Sequence, residues 1–230
     1  TAPFEGFALK HYSWGEGPAV LLVHGWGADA VFLVFLARVL ARNGFRVTLF
    51  DAPAHGGSRR ANGENRTDFF QFCRALGHVA RQCAPFTAVI GHSLGGTAAA
   101  FTALGHERLA PYRITPGKLV MMSSPGSIFR MVEHFCRRNQ IQEQTAELSA
   151  GLEREFDFTM TDFDLTHHIR NLAPRLLLVH DDNDDEIPVT DSRELARAQV
   201  NAATMYTSGL GHQRILFSRD AARRILEFLR

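Results

Sequence analysis

The sequence predicts an α/β fold, a doubly wound and mostly parallel sheet with a small helical cap inserted into it. Three observations lead to this prediction. Short apolar runs recur at regular intervals along the 230 residues, and segments of helical length separate them. Alternation of this kind is typical of a sheet with helices on both faces. One polar and aromatic stretch interrupts the alternation, and it predicts the cap.

Six apolar runs are the candidate strands. Most of them are apolar on successive residues, which indicates strands buried on both faces, as in a parallel sheet. In order, the runs are Ala19–Gly25, Phe45–Asp51, Phe86–His92, Lys118–Ser124, Arg175–Asp181 and the weaker Ala203–Gly209. Ahead of them, "FALKHYSWGEGP" (Phe7–Pro18) predicts one antiparallel edge strand followed by a turn.

The candidate helices lie between these runs. Their boundaries carry turn signals, such as Asn43-Gly44 after the first helix and Pro188 ahead of the fourth. In order, the helical segments span residues 30–44, 67–83, 95–109, 191–200 and 213–230. The last segment is predicted as one helix.

The interruption falls between the fourth and fifth apolar runs. It is polar and aromatic, with helical pieces and no strong strand, so we expect a cap insertion over about 127–171. We expect residues 1–230 to form a single domain around it, because a chain of this length can bury a full core. The sequence contains no internal repeat.

Composition narrows the class of partner. Hydrophobic residues make up 45% of the chain and charged residues 21%, and the formal net charge is +1. No block of like charge stands out, so we expect neither a nucleic-acid nor a membrane partner. Cys73, Cys83 and Cys136 lack CxxC spacing, which predicts free thiols and no metal site.

The cellular location is predicted only from the membrane and leader signals that the sequence lacks. No apolar run approaches the length of a membrane span, and no charged and then apolar leader is visible, so we expect a cytoplasmic protein. The chain begins at Thr1 rather than Met, and we expect that some native N-terminal sequence is missing. The oligomeric state is not predicted.

Ser93 is the candidate nucleophile. It lies in "GHSLG" (Gly91–Gly95), a G-x-S-x-G pattern between a predicted strand and a predicted helix. That context is typical of a nucleophile elbow, in which Gly91 and Gly95 make room for a strained serine. An ordinary glycine turn is the alternative. Ser123 and Ser124 are rival serines, but "PG" rather than a helix start follows them, which favours a loop role.

A serine nucleophile needs a base within hydrogen-bond reach and a third group that orients the base. His212, in "SGLGHQRIL" after the last predicted strand, is the candidate base, and a helix N-terminal histidine without a task is the alternative. The candidate orienting acids share the loop "HDDNDDEIP" and are Asp181, Asp182, Asp184, Asp185 and Glu186. A calcium-binding loop is the alternative function for this acidic cluster. The cluster lacks the glycine of an EF-hand, so we expect it to bind no metal.

Two backbone N–H groups are the candidates for an oxyanion hole. One belongs to Leu94, the residue after the nucleophile, at the positive end of a predicted helix. The other belongs to Trp26, which follows Gly25 in "HGWG" (His24–Gly27) after an earlier strand. A plain glycine turn that leaves the strand is the alternative for "HGWG".

These motifs make the chain resemble the α/β-hydrolase superfamily over nearly its full length. "HGWG" resembles the oxyanion loop of that family, "DAPAHGGS" its D-x-P-G-x-G-x-S loop, "GHSLGG" its elbow and "HDDNDDEIP" its H-G-x-x-D-x-x-x-P loop. "GLGH" precedes the last helix, as in the family. The resemblance implies that the acid is Asp184 and that the catalytic order is Ser93, Asp184, His212.

The chain departs from the family pattern in three places. Ala54 in the second loop and Asp181 after His180 stand where glycine is usual. Neither residue replaces a catalytic group, so we expect them to alter loop shape only. One strand is predicted ahead of Ala19, where the fold usually has two.

The resemblance implies a serine hydrolase that needs no cofactor. The implied substrate is a carboxylic ester or thioester of a small to medium acyl group, cleaved through an acyl-enzyme. Alternatives with the same fold are a C–C bond hydrolase, a perhydrolase and a haloperoxidase. A non-catalytic ligand-binding protein is the alternative from another class. The cap phenylalanines favour either an apolar pocket or the cap's own core, and the substrate itself is not predicted.

Overall fold

Strands form where the sequence has short apolar runs. The computed structural model describes residues 1–63, 65–83 and 85–230. The strands in these ranges are β1 (Ala2–Phe4), β2 (Phe7–Leu9), β3 (His11–Trp14), β4 (Ala19–Val23), β5 (Arg46–Phe50), β6 (Ala88–His92), β7 (Lys118–Met122), β8 (Arg175–Asp181) and β9 (Ala203–Thr207).

Seven of the described strands form one sheet. Their order across the sheet is β3-β5-β4-β6-β7-β8-β9. β3 runs antiparallel to β5, and every other pair in this sheet is parallel. All residues of β4 and β6 are buried, as expected for central strands that are covered on both faces. The predicted α/β class with a mostly parallel sheet is confirmed.

Helices connect the strands and cover the sheet. Within the described ranges they are α1 (Val34–Arg42), α2 (Phe69–Cys83), α3 (Leu94–Leu104), α4 (Ile128–Arg138), α5 (Thr145–Phe156), α6 (Leu165–His168), α7 (Val189–Ala198), α8 (Gly211–Arg214) and α9 (Arg219–Leu229). In the part of the chain that the structure describes, none of these helices has the length and apolar character needed to cross a lipid bilayer.

The sheet separates two apolar cores. Leu21 and Val23 of β4 point into the core that contains α2 and α3. Val20 and Leu22 of the same strand point into the core that contains α1 and α9. Successive side chains of a strand point to opposite faces, so a strand that is apolar at every position supplies both cores.

The N-terminal region differs from the prediction. The single predicted edge strand is two strands, β2 and β3, which belong to different sheets. β1 and β2 form a separate hairpin that turns at Glu5 and Gly6, whose φ angles are 44° and 82°. Each strand of the hairpin has three residues, which is too short for a periodic apolar signal in the sequence.

The C-terminal helix also differs from the prediction. Instead of one helix over 213–230, the chain forms α8, a 3₁₀ turn at Ile215–Phe217 and then α9. Ser218 separates them, with an extended ψ of 123° and a side-chain oxygen that accepts from the Ala221 N–H at 3.2 Å. Serine favours this N-cap position because its hydroxyl satisfies a free backbone donor.

Residues 127–171 connect β7 to β8 through α4, α5 and α6. Phe163 is buried and packs against the Phe101 ring of α3, with ring centroids 5.0 Å apart. Arg130 of α4 pairs with Asp191 of α7 at 3.3 Å. These contacts attach the segment to the helices beneath it.

Candidate active site

Ser93 lies at a strained turn between β6 and α3. Its φ of 53° and ψ of −130° are a backbone conformation that residues other than glycine rarely adopt. This strain costs about 1–3 kcal/mol. A Cβ atom at Gly91 would lie 2.4 Å from the Cα atom of Gly96, and one at Gly95 would lie 2.3 Å from the carbonyl oxygen of His24. Larger residues at these two positions would therefore force the turn apart.

The loop after β4 passes beside this turn. A Cβ atom at Gly25 would lie 2.9 Å from the Cβ atom of Ser93. Within the described ranges, the Trp26 N–H donates to no acceptor. Leu94 is the first residue of α3, and the first four N–H groups of a helix have no acceptor within the helix. The two residues predicted for the oxyanion hole thus carry available donors.

Two histidines hold the loop in place. The Nδ1–H of His24 donates to the Gly25 carbonyl at 2.7 Å, and its Nε2 accepts from the Ala52 N–H at 2.9 Å. The Nε2 of His55 accepts from the Gly27 N–H at 3.1 Å. Burial lowers the pKa of His24 to about 4, so this ring stays neutral and remains an acceptor near neutral pH.

His212 and Asp184 form a buried pair. The Nδ1–H of His212 donates to Oδ2 of Asp184 at 2.8 Å, although the two residues are 28 positions apart. The other carboxylate oxygen of Asp184 accepts from the N–H groups of Glu186 and Ile187 at 3.0 Å and 2.9 Å. The Nε2 atom of His180 lies 3.3 Å from Oδ2. His180, the first residue of "HDDNDDEIP", was not predicted as a site residue, and it is fully buried beside the pair.

The charge of Asp184 is set by its partners. Burial raises the pKa of this carboxyl, but hydrogen bonds from His180 and His212 outweigh burial, and the pKa falls well below its ordinary value. The carboxylate is therefore ionised near neutral pH. Because it accepts from Nδ1–H of His212, it favours the tautomer whose Nε2 is available as a base.

His92 connects the strained turn to the His212 loop. This buried ring donates from Nε2–H to the backbone carbonyl of His212 at 2.9 Å, and the two ring centroids are 4.7 Å apart. The contact joins residues 120 positions apart, so no local pattern in the sequence could have indicated it. Burial, and then the neighbouring His212, lower the pKa of His92 to about 3.

We expect His92 to make the protein less stable as the pH falls. Between its ordinary pKa of 6.5 and the folded value of about 3, the unfolded chain binds a proton that the folded chain does not. The free energy of unfolding should then drop by about 1.4 kcal/mol per pH unit from this residue. Urea unfolding at several pH values between 7 and 4.5 gives the free energy of unfolding as a function of pH. For His92→Gln this free energy should fall less steeply with decreasing pH than it does for the unsubstituted protein.

His24→Gln is the matched comparison for this measurement. Burial lowers the pKa of His24 as well, to about 4, so its removal should also flatten the slope over the same pH range. An unchanged slope in His92→Gln would show that the folded chain already binds this proton.

His212 contacts His92, the residue directly before Ser93. In the part of the chain that the structure describes, no hydrogen bond joins Oγ of Ser93 to the imidazole. The Nε2 atom of His212 lies 3.9 Å from a carboxylate oxygen of Glu186, which is partly exposed. Catalytic hydrogen bonds often become short only when substrate is bound, so this geometry is compatible with His212 as a base.

An apolar cavity opens beside Ser93. It has a volume of about 380 Å³. Ser93, Trp26 and Leu94 line one side of it. Most of the remaining lining is apolar, with Asp68 as the exception, and comes from α2 and residues 127–171: Phe69, Phe70, Ile128, Met131, Leu152, Phe156, Phe158 and Phe163. Phe129 and Phe135, two other phenylalanines of the predicted cap, are exposed and do not line the cavity.

The rival serines lie in other surroundings. Ser123 is fully buried with a φ of 46°, and its hydroxyl has no hydrogen-bond partner among the described residues. The hydroxyl of Ser124 donates to the Met122 carbonyl at 3.1 Å. Neither serine lines the cavity.

The acidic loop is used for protein contacts. Asp182 pairs with Arg193 at 2.8 Å, and Asp185 lies 3.5 Å from Arg138. Over residues 1–63, 65–83 and 85–230, no group of three or more His, Cys, Asp or Glu side chains is arranged to hold a metal ion.

The chain is similar to several known proteins. A family model described as alpha/beta hydrolase fold matches residues 18–132. The esterase YjfP of Escherichia coli K12 is 26% identical in an alignment 198 residues long that covers 79% of this chain and 74% of that protein. A solved monoacylglycerol lipase from Paleococcus ferrophilus superposes with a TM-score of 0.72 at 18% identity, covering 96% of this chain and 98% of the lipase.

A methylesterase is also similar over a shorter stretch. Protein phosphatase methylesterase 1 of Rattus norvegicus is 33% identical in an alignment 96 residues long that covers 40% of this chain. The match spans only 25% of the methylesterase. The similarity to this relative is thus limited to about a quarter of its length.

Proposed function

The chain belongs to the alpha/beta hydrolase fold family, and on this basis we propose that it is a serine hydrolase that cleaves carboxylic esters. The observation that carries the proposal is the hydrogen bond from His92, the residue before the strained Ser93, to the backbone of His212, which in turn pairs with Asp184. The esterase and the methylesterase among its distant relatives favour ester bonds over other bonds that the same fold can cleave.

In the first step, Oγ of Ser93 attacks the ester carbonyl carbon and its proton passes to Nε2 of His212. The ionised Asp184 stabilises the imidazolium that forms. The tetrahedral intermediate collapses, and His212 gives its proton to the departing alkoxide. A water molecule then attacks the acyl carbon while His212 takes one of its protons. The second tetrahedral intermediate collapses with cleavage of the bond to Oγ of Ser93, and His212 returns the proton to Oγ, which releases the carboxylic acid and restores the Ser93 hydroxyl.

The negative charge of the intermediate needs donors that are already in place. The N–H groups of Trp26 and Leu94 have this role in the proposal, because both are available and both residues line the cavity with Ser93. Loss of one such donor typically costs about 10²–10³ in kcat. His24 and His55 support the Trp26 donor indirectly, since they hold the loop on either side of it.

The cavity indicates an apolar acyl group. A volume of about 380 Å³ with a largely apolar lining favours an alkyl chain over a polar acyl group. In this proposal, residues 127–171 act as the cap, which supplies six of the twelve residues that line the cavity. Each methylene that becomes buried contributes about 0.8 kcal/mol.

A panel of p-nitrophenyl esters from acetate to decanoate, with acyl-CoA thioesters beside it, tests the proposal. We expect hydrolysis of the esters, with kcat/KM rising about fourfold per methylene until the cavity is full. A folded protein that binds these esters without turnover would contradict a hydrolase and favour a ligand-binding protein. Thioester hydrolysis at equal or greater kcat/KM would contradict the preference for esters.

We expect Leu152→Trp to shorten the preferred acyl chain. Leu152 of α5 lines the cavity, and a larger side chain there would occupy the space of several methylenes. The kcat/KM for the octanoate ester should fall by about 10- to 100-fold, while that for the acetate ester changes little.

Leu148→Trp is the matched control for this prediction. Leu148 lies on the same helix, is exposed and does not line the cavity. Its substitution should leave the whole chain-length profile unchanged. Equal effects of the two substitutions would place the acyl chain elsewhere.

A further inference from the structure

Asp181 is a buried carboxylate at the end of β8 that the proposed chemistry does not use. It is 0% exposed and accepts four hydrogen bonds. Oδ1 accepts from the N–H groups of Asn183 and Gly211 at 3.0 Å and 2.9 Å. Oδ2 accepts from the Thr207 hydroxyl at 2.7 Å and from the Leu210 N–H at 3.0 Å.

Two of these donors immediately precede His212. The segment that carries them contains Gly209 and Gly211, both at positive φ (85° and 68°), and glycine has more backbone freedom than any other residue. The Asp181 carboxylate ties this segment to the end of a central strand. It therefore limits the positions that the His212 backbone can take.

The same residue also holds the acid loop. The backbone carbonyl of Asp181 accepts from the Asp184 N–H at 3.1 Å. Asp181 thus contacts both the segment that leads into His212 and the loop that carries Asp184. The distance of 2.8 Å between Nδ1 of His212 and Oδ2 of Asp184 depends on how these two loops are placed.

We propose that Asp181 is a positioning residue that holds His212 in register with Asp184 and Ser93. This inference rests on the proposed function. It gives a physical role to a carboxylate that stands where the family usually has glycine. Burial raises the pKa of Asp181, but the bonds from Gly211, Thr207, Leu210 and Asn183 outweigh burial and lower it, so the group accepts from all four donors as a carboxylate.

Asp181→Asn tests the inference, because asparagine keeps the shape of aspartate but directs an NH₂ group toward two of the four donors. We expect kcat for the preferred p-nitrophenyl ester to fall about 10- to 100-fold, the range that misplacement of a catalytic group by about 1 Å can produce. KM should change less than about twofold, because the cavity is untouched. The NMR signal of the His212 Nδ1–H proton should broaden or shift.

Two matched variants separate positioning from general stability. Asp182→Asn removes the adjacent, exposed carboxylate, whose partner is Arg193, and should leave kcat and the proton signal unchanged. Thr207→Val removes a hydrogen bond to the same carboxylate without touching the His212 segment. It should lower the melting temperature with kcat retained. Loss of kcat in Thr207→Val equal to that in Asp181→Asn would overturn the inference.

The outcomes distinguish this inference from the proposed function. Wild-type kcat and an unchanged proton signal in Asp181→Asn would overturn the positioning role alone. Absence of ester turnover in the unsubstituted protein would overturn the proposed function, while the proton signal would still report on positioning. If Asp181→Asn fails to fold, Asp181→Gly serves instead, since it leaves no side-chain donor facing the loop, and a wild-type kcat and proton signal there would overturn the inference.

Discussion

Replacing Ser93 with alanine is expected to abolish covalent labelling by a fluorophosphonate probe and to lower kcat for ester hydrolysis by about 10⁵- to 10⁶-fold. The substitution removes the only atom that forms the acyl-enzyme in the proposed mechanism. The cavity and the two backbone donors remain, so a small residual rate above that of water should persist. Mass spectrometry of the labelled wild-type protein should locate the probe on Ser93.

Ser123→Ala is the matched control. Ser123 also follows a central strand, is also at positive φ (46°), and carries a buried hydroxyl without a partner among the described residues. It does not line the cavity. We expect Ser123→Ala to keep full labelling and activity. Labelling that survives in Ser93→Ala but disappears in Ser123→Ala would move the nucleophile to the neighbouring strand.

Asp184→Asn is expected to lower kcat by about 10⁴-fold. The side-chain carbonyl of the introduced asparagine could still accept from the Glu186 and Ile187 N–H groups, which now bind Oδ1. The NH₂ group of that asparagine would then face the His212 ring. The ring would respond by placing its proton on Nε2, and a protonated Nε2 cannot accept the proton of Ser93.

Asp185→Asn is the control for this substitution. Asp185 is adjacent in sequence, but its side chain is exposed and its contact is a surface pair with Arg138 at 3.5 Å. Surface pairs of this kind contribute about 0–1 kcal/mol, so activity and stability should change little. Steady-state kinetics of both variants test this difference in kcat, and circular dichroism confirms that both variants fold. Similar losses in both would indicate a general effect of loop charge rather than a specific role for Asp184.

Local sequence was sufficient where a single element carries the signal. Strands that are apolar at every position, such as Ala19–Val23, can be buried only between two helical layers, so they predicted the sheet and its class. The strained turn at Ser93 was also predictable from local sequence. Its requirement for glycine on both sides arises within a few residues, and the sequence displays it directly.

Short and broken elements were predicted poorly. The three-residue strands of the N-terminal hairpin are too short to show periodicity. The break at Ser218 depends on a hydroxyl that could equally have pointed to solvent within one continuous helix. In both cases the sequence permits two local conformations of similar energy, and contacts with the rest of the chain select between them.

The sequence by itself determined the class of the fold, the order of the candidate site residues along the chain and the position of the strained serine. The resemblance to the family already indicated Asp184 as the acid. Only the tertiary structure decided that Asp184 accepts from Nδ1–H of His212, that His180 and His92 lie beside the pair, and that Asp181 contacts both the acid loop and the segment before His212. The reason is physical. Apolar burial leaves a periodic record along the chain, whereas a directional hydrogen bond between loops depends on residues that folding brings together from distant positions.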